Sequence, residues 1–273
     1  MIMQSNLLTN TVDEIITAAF AETDGDLLVV DPTAETIETI IQLGFETDEH
    51  PTLRTLAEES VLKSVMNDFL VASRAADMVE NGHLSLRVLE ADTNNSLLVS
   101  ETSVTALVGA GDIAGAISSD DDEFVAGVYD SYRAVFEDAE THGLRTPAIS
   151  QVRDTLAADI GDATRDDFNT VMSSMESARG NGQGLDEVTV SLLVAARNEE
   201  LLYDISKWGE DIGIASKATF SRTKTRLEDG DLIDTEKVPI DVGRPRLRLK
   251  LGDERLTTAN TDDLAGVTNS ILD

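Results

Sequence analysis

The stretch that decides the fold is residues 205–250, ISKWGEDIGIASKATFSRTKTRLEDGDLIDTEKVPIDVGRPRLRLK. Two short amphipathic segments flank the small residues GIAS, and two apolar segments then flank a loop that contains glycine and proline. The pattern predicts a helix, a tight turn, a second helix and a pair of strands, in that order. This order is typical of a winged helix-turn-helix.

The turn between the two helices has a residue suited to each helix end. Gly213 can take the left-handed conformation that ends the first helix, which glycine adopts at the lowest cost. Ser216 can accept a backbone N–H at the start of the second helix. We therefore predict that the second helix covers residues 217–229.

The two faces of this second helix differ in chemistry. At 100° per residue, Phe220, Thr223 and Leu227 face the core. The opposite face has small, hydroxyl and guanidinium side chains, namely Ala218, Ser221, Arg222, Thr225 and Arg226. Arginine can bridge O6 and N7 of guanine, hydroxyl groups reach bases or phosphates, and small residues allow close approach. The sequence predicts a DNA recognition helix in the major groove, with Ser216 and Lys217 at its start; the alternative is a solvated basic face.

The two strands that follow are predicted over residues 232–240 and 245–251. In RLRLKL the side chains alternate, so Leu247, Leu249 and Leu251 point inward while Arg246, Arg248 and Lys250 point outward. Arg244 lies at the tip of the predicted loop. We expect the wing, residues 238–250, to hold the DNA backbone through Arg244, Arg246 and Arg248, which positions the protein more than it specifies sequence.

The charge of this stretch differs from that of the chain. Residues 205–250 contain ten Lys or Arg and eight Asp or Glu, whereas all 273 residues carry a net charge of −31. Such an acidic excess keeps a protein hydrated where salt is very high, and it predicts a halophilic source. At about 1 M salt the Debye length is about 3 Å, and phosphate contacts gain little from counterion release. A net charge of only +2 is therefore compatible with DNA binding.

The first half of the chain alternates apolar strands with amphipathic helices. GDLLVVDP, residues 25–32, is a short continuous apolar run of the kind found in buried strands. The predicted strands are residues 25–32, 51–56, 84–89, 96–100, 104–109 and 113–118. The predicted helices are residues 11–21, 34–43, 61–80 and 124–140. The alternation indicates an α/β domain.

Two motifs in this half resemble ligand sites. GAGDIAG contains Gly109, Gly111 and Gly115, but its spacing is wrong for a dinucleotide loop, and a hairpin turn explains it better. SSDDDEF, residues 118–124, is a run of adjacent carboxylates that cannot all face one ion. We expect it to begin a helix, where the helix dipole favours negative charge.

The domain organisation follows from these elements. We predict an α/β sensor domain over residues 1–145 and a helical connector over 146–179, with helices at 149–160 and 166–179. Three glycines at 180, 182 and 184 predict a linker over residues 180–186. A winged helix-turn-helix domain (α+β) follows over residues 187–256, beginning with a helix at 188–204, and a tail over residues 257–273 can be helical.

Composition excludes several functions. The chain has no cysteine, and its three histidines lack the spacing of metal ligands, so we predict no metal site and no cofactor. No apolar run approaches the roughly 20 residues of a membrane span, and the amino terminus has no cleavage signal, which predicts a cytoplasmic protein. No catalytic constellation is visible, so an enzyme is the least supported alternative.

Residues 198–256, from NEELLYDISKWGEDIG to LGDERL, resemble the carboxy-terminal part of the haloarchaeal TbsP family of transcriptional regulators. SNLLTNTVDEIITAAF and GDLLVVDP resemble its amino-terminal part, so the resemblance covers nearly the whole chain and is most specific over residues 185–256. It implies a one-component regulator of glucose and central carbon metabolism. The sensor part is also similar in layout to that of TrmB-like regulators, but these place the DNA-binding domain first.

The sequence therefore predicts a transcription factor that binds double-stranded DNA, acts as a homodimer and responds to a metabolite effector. A dimer would place two recognition helices on a palindromic operator. The alternative is a protein-interaction module of the transcription machinery without specific DNA contacts.

Overall fold

The computed structural model describes residues 11–47, 49–90, 95–110, 113–177, 185–239 and 245–272. Contacts divide the chain into two compact units, Met1–Ala148 and Ile149–Asp273. The first unit is α/β, and the second contains the helix-turn-helix with its pair of strands, which confirms the predicted fold class.

The first unit contains a six-stranded mixed sheet. Its strands are β1 (Asp26–Val30), β2 (Thr52–Ala57), β3 (Leu84–Val88), β4 (Ser96–Val99), β5 (Val104–Ala110) and β6 (Ile113–Ser119). The spatial order is β3-β2-β1-β4-β5-β6. Strands β1, β2 and β3 are parallel, whereas β4, β5 and β6 join them by antiparallel pairing.

Helices cover both faces of this sheet. They are α1 (Val12–Glu22), α2 (Ala34–Glu46), α3 (Glu59–Val65), α4 (Phe69–Glu80) and α5 (Asp122–Asp138). Leu27 and Val29 of β1 pack in a cluster with residues of α1 to α4, while Leu28 and Val30 pack on the opposite face with residues of α5. Because both faces are buried, β1 is the continuous apolar run that the sequence predicts.

Residues 61–80 form two helices, so the prediction of one helix there is wrong. The carboxylate of Asp68 accepts the N–H of Val71 at 3.0 Å and caps the start of α4. Helix α3 ends just before it, at Val65. A capping aspartate satisfies a backbone donor that a continuous helix would bond internally, and periodicity alone does not show this.

The two motifs that resemble ligand sites have structural roles. Strands β5 and β6 pair from Ala110↔Ile113 outward, as predicted for a hairpin; Gly111 lies outside the described residues. Asp121 caps α5 by accepting the N–H of Phe124 at 3.0 Å, as the carboxylate run predicts.

The second unit is mainly helical. Its elements are α6 (Ile149–Asp159), α7 (Asp162–Ser177), α8 (Glu187–Arg197), α9 (Leu202–Asp211), α10 (Lys217–Asp229), β7 (Ile233–Val238), β8 (Arg246–Leu251), α11 (Glu254–Thr258) and α12 (Leu264–Leu272). Helices α6 and α7, predicted as a connector, belong to the same compact unit as the winged helix. Trp208 of α9 donates to Thr155 Oγ1 of α6 at 3.0 Å, which ties the two parts together.

Residues 188–204 are not one helix, contrary to prediction. Helix α8 ends at Arg197, and Glu199 takes a left-handed conformation with φ of 55°. The carbonyl of Glu200 then accepts the N–H of Leu249 at 2.9 Å, and Leu201 bridges to Arg248. The segment leaves the helix because its backbone pairs with the free edge of β8.

Candidate nucleic-acid interface

The turn between α9 and α10 is built as the sequence predicts. Gly213 has a φ of 85°, in the left-handed region, and the N–H of Ile214 donates to Gly209 O at 2.8 Å. Ser216 accepts the N–H of Thr219 at 3.2 Å and caps α10. These bonds fix the angle at which α10 leaves the turn.

Helix α10 is anchored by the residues predicted to face the core. Phe220, Thr223 and Leu227 are all buried, which confirms that prediction. Gly209 of α9 meets the ring of Phe220 so closely that an added Cβ would lie under 3.0 Å from its Cε2 and Cζ atoms. A glycine is therefore required at position 209 for the two helices to pack at this distance.

The opposite face of α10 is exposed. All five residues predicted there are solvent-accessible, namely Ala218, Ser221, Arg222, Thr225 and Arg226, and so are Ser216 and Lys217 at the helix start. Arg222 donates to Thr219 Oγ1 of its own helix at 3.3 Å. The structure thus places these seven residues together on an accessible surface.

Carboxylates from neighbouring helices reach the two ends of this surface, which the sequence analysis missed. Glu210 of α9 pairs with Lys217 at 2.8 Å, and this hydrogen bond raises the pKa of Lys217 and lowers that of Glu210. Asp186, which caps α8, lies 3.4 Å from Arg226 Nη2, and Thr189 accepts from the same nitrogen at 3.0 Å. These acids are distant in sequence from the helix they contact, so helical periodicity could not reveal them.

The wing strands pair antiparallel, from Ile233↔Leu251 to Val238↔Arg246. Of the three leucines predicted to point inward, Leu249 is buried, and Leu247 and Leu251 are half-buried. Arg244 lies outside the described residues.

The two remaining wing arginines lie close to other side chains of the second unit. Arg246 donates to Asp204 Oδ1 at 3.2 Å and stacks over the ring of Tyr203, 4.3 Å from its centroid. Arg248 is half-buried near Glu200, whose pKa burial raises, and near Glu236, whose pKa is lowered mainly by its hydrogen bond with Lys250. A contact with phosphate would have to compete with these neighbours.

The architecture defines a class: an α/β domain followed by a winged helix-turn-helix with an accessible second helix. None of the described helices is long and apolar enough to cross a membrane. The family model for the C-terminal HTH domain of TbsP-like transcriptional regulators matches residues 148–269, and the N-terminal model of the same family matches residues 4–147. The chain belongs to the family of TbsP-like transcriptional regulators, and this membership favours the predicted non-enzymatic role.

Similarity to solved structures is low. Part of the chain is similar to TrmBL2, which is described as an archaeal chromatin protein with a novel mode of DNA binding. The two share 16% identity with a TM-score of 0.37, and the match covers 49% of this chain and 52% of TrmBL2. Part of the chain is also similar to Nuc, a phospholipase D family member from Salmonella typhimurium, with 7% identity and a TM-score of 0.35. The match covers 47% of this chain and 89% of Nuc. The chain thus spans about half the length of TrmBL2, and neither likeness bears on function. No match is found among curated proteins.

Proposed function

We propose that this regulator binds specific operators by placing α10 in the major groove. The observation that carries the proposal is the exposed face of α10, which presents Arg222 and Arg226 with small and hydroxyl side chains. In a chain with 52 acidic residues, the helix adds only one carboxylate to that face, Asp229 at its last residue. Arginine and hydroxyl groups are the side chains that contact base edges most often.

The ends of the α10 face contact DNA differently from its centre. Ser216 and Lys217 at the helix start reach phosphates, while Ala218, Ser221 and Thr225 allow close approach to bases. Because Lys217 and Arg226 already have acidic partners, their binding to DNA exchanges one negative partner for another. This exchange keeps the free protein from binding phosphate of any DNA sequence. Arg222 then supplies most of the preference for the operator sequence.

The wing, with Arg244, Arg246 and Arg248, lies along the backbone in this proposal. Arg246 would leave Asp204 when a phosphate takes its place, because both are anionic acceptors of a guanidinium. The wing therefore positions α10 and adds little sequence preference.

The physiological setting belongs to the same proposal. The regulator works in the salt-rich cytoplasm of a halophilic archaeon, controls glucose and central carbon metabolism, and acts as a homodimer whose first unit senses a metabolite. The charge of −31 supports the saline setting. Genome-wide occupancy of the tagged protein with and without glucose tests the metabolic role, and thermal-shift screening of phosphosugars tests the sensor.

A mobility-shift assay at molar KCl tests the recognition helix. The double variant Arg222→Ala plus Arg226→Ala should lose at least tenfold in affinity for the operator, since each good base contact contributes about 1–3 kcal/mol. The matched control is Arg133→Ala plus Arg255→Ala, two exposed arginines paired elsewhere, with the same loss of charge. Unchanged sequence selectivity in the first variant would show that α10 is not the recognition helix. Co-purification with protein partners but no operator footprint would favour the interaction module instead.

A further inference from the structure

The two edge strands of the six-stranded sheet differ in whether another segment of the chain pairs with them. At the β3 edge the chain covers itself, because Val88 donates to Glu140 O at 2.8 Å and His142 donates to Leu86 O at 2.9 Å. At the other edge, β6 pairs only with β5 within the described ranges. Every second residue of an antiparallel edge strand directs its N–H and C=O away from its neighbour, so the seven residues of β6 present an open pairing edge.

This edge lacks the features that usually prevent strand pairing. Natural edges are protected by charged side chains, proline or bulges. Strand β6, IAGAISS, has no charged residue and no proline, and it pairs with β5 over seven consecutive residues in regular register. The whole hairpin, residues 103–119, has one charged residue, Asp112, in a chain where 27% of residues are charged.

The surface beside the edge is apolar. Val108 is 50% exposed and Ile117 is 55% exposed, which are two of the most exposed large apolar side chains in the described residues. Ile117 pairs with Ala106, two residues before Val108, so Ile117 and Val108 lie on the same face of the hairpin. That face also carries Val104, which packs with residues of α5. We call Val108, Ile117 and the open edge of β6 the neutral edge; the carboxylates Asp120 to Glu123 follow the strand and lie outside it.

We propose that the neutral edge is the homodimer interface and that its occupant is β6 of a second copy of this chain. The inference rests on the proposed function because it places the interface of the proposed dimer. Two copies carry −31 each, so they repel wherever their acidic surfaces meet, and the neutral edge is where they can approach.

A second copy also satisfies the geometry of the edge. Two identical strands can pair antiparallel about a two-fold axis, which uses the same surface on both chains. The pairing joins the two sheets into one of twelve strands and fills the open donors and acceptors of both copies. It also brings the two Ile117 side chains onto the same face near the axis, where they cover each other from water.

Light scattering with size-exclusion chromatography at molar KCl tests the interface. The wild type should have twice the 29.4 kDa mass of one chain. Ile117→Lys should shift the dissociation constant at least tenfold towards monomer, because it places two ammonium groups near the axis. The control is Val79→Lys on α4, also an exposed apolar residue at 40%, which should stay dimeric. Both variants reduce the net negative charge equally, so general repulsion cannot explain a difference between them.

Crosslinking gives a second measurement that does not depend on the stability of the lysine variant. The chain has no cysteine, so Ile117→Cys carries a single thiol that a short bis-maleimide should join across the axis, whereas Val79→Cys should not be joined. A monomeric wild type would overturn both this interface and the proposed dimer. A dimer that persists in Ile117→Lys, without crosslinking at position 117, would overturn the interface alone. DNA binding is scored separately by the variants of α10.

Discussion

Replacing Gly209 by alanine should loosen the packing between α9 and the proposed recognition helix. The new methyl group would lie under 3.0 Å from Cε2 and Cζ of Phe220, whereas ordinary contact begins at 3.4 Å. Phe220 is completely buried, so its ring cannot swing into solvent. The collision must therefore be relieved by moving α10 or by distorting the Phe220 rotamer.

Two opposing effects set the change in the free energy of unfolding of Gly209→Ala. Alanine in place of glycine favours a helix by up to about 1 kcal/mol. Overpacking a filled core costs about 1–3 kcal/mol. Because the approach at Gly209 is so close, we expect the second effect to prevail, with a net loss of about 1–2 kcal/mol. For a unit of this size that corresponds to a fall in Tm of about 3–10 °C.

The assay uses the only tryptophan of the chain. Trp208 is buried next to Gly209, so its fluorescence reports the unfolding of the second unit. Gly266→Ala on α12 is the matched control, because a Cβ there meets nothing within 4 Å, and its Tm should be unchanged or slightly raised. In the Gly209→Ala background, Phe220→Leu should cost about 1 kcal/mol less than in the wild type, since the smaller side chain relieves the collision.

A Gly209→Ala variant as stable as the wild type would refute the close packing of α9 and α10. The same outcome would remove the reason for a glycine at this position. If the variant is destabilised as expected, it should also bind the operator more weakly, because α10 has been displaced from the turn.

Two further predictions concern the stability of the second unit. Ser216→Ala should cost about 1 kcal/mol by removing the cap of α10, whereas Ser221→Ala on the exposed face should leave the free energy of unfolding unchanged. Burial raises the pKa of Glu200, so the native state holds this proton more tightly than the unfolded chain. Its contribution to stability is present below the unfolded pKa of about 4.3 and is lost as pH rises through the folded value. Glu200→Gln should therefore gain in stability relative to the wild type as pH rises from 4 to 7; a difference that does not change with pH would contradict this assignment.

The sequence alone determined the elements whose pattern is local. The alternation in residues 11–140 predicted the α/β unit, and the glycine and serine of the turn predicted α10 to the residue. Its buried face and exposed face followed from the 100° repeat, because a helix repeats its environment every 3.6 residues. The resemblance of residues 198–256 to TbsP regulators indicated the family.

Only the tertiary structure decided the features that depend on contacts between distant residues. It divided residues 61–80 at Asp68, ended α8 where the chain pairs with β8, and joined α6 and α7 to the winged helix. It also brought Glu210 and Asp186 to Lys217 and Arg226, which changes the charge that DNA would meet. Capping, strand pairing and ion pairing join groups that lie on different elements, so their partners are set by packing and cannot be read from periodicity.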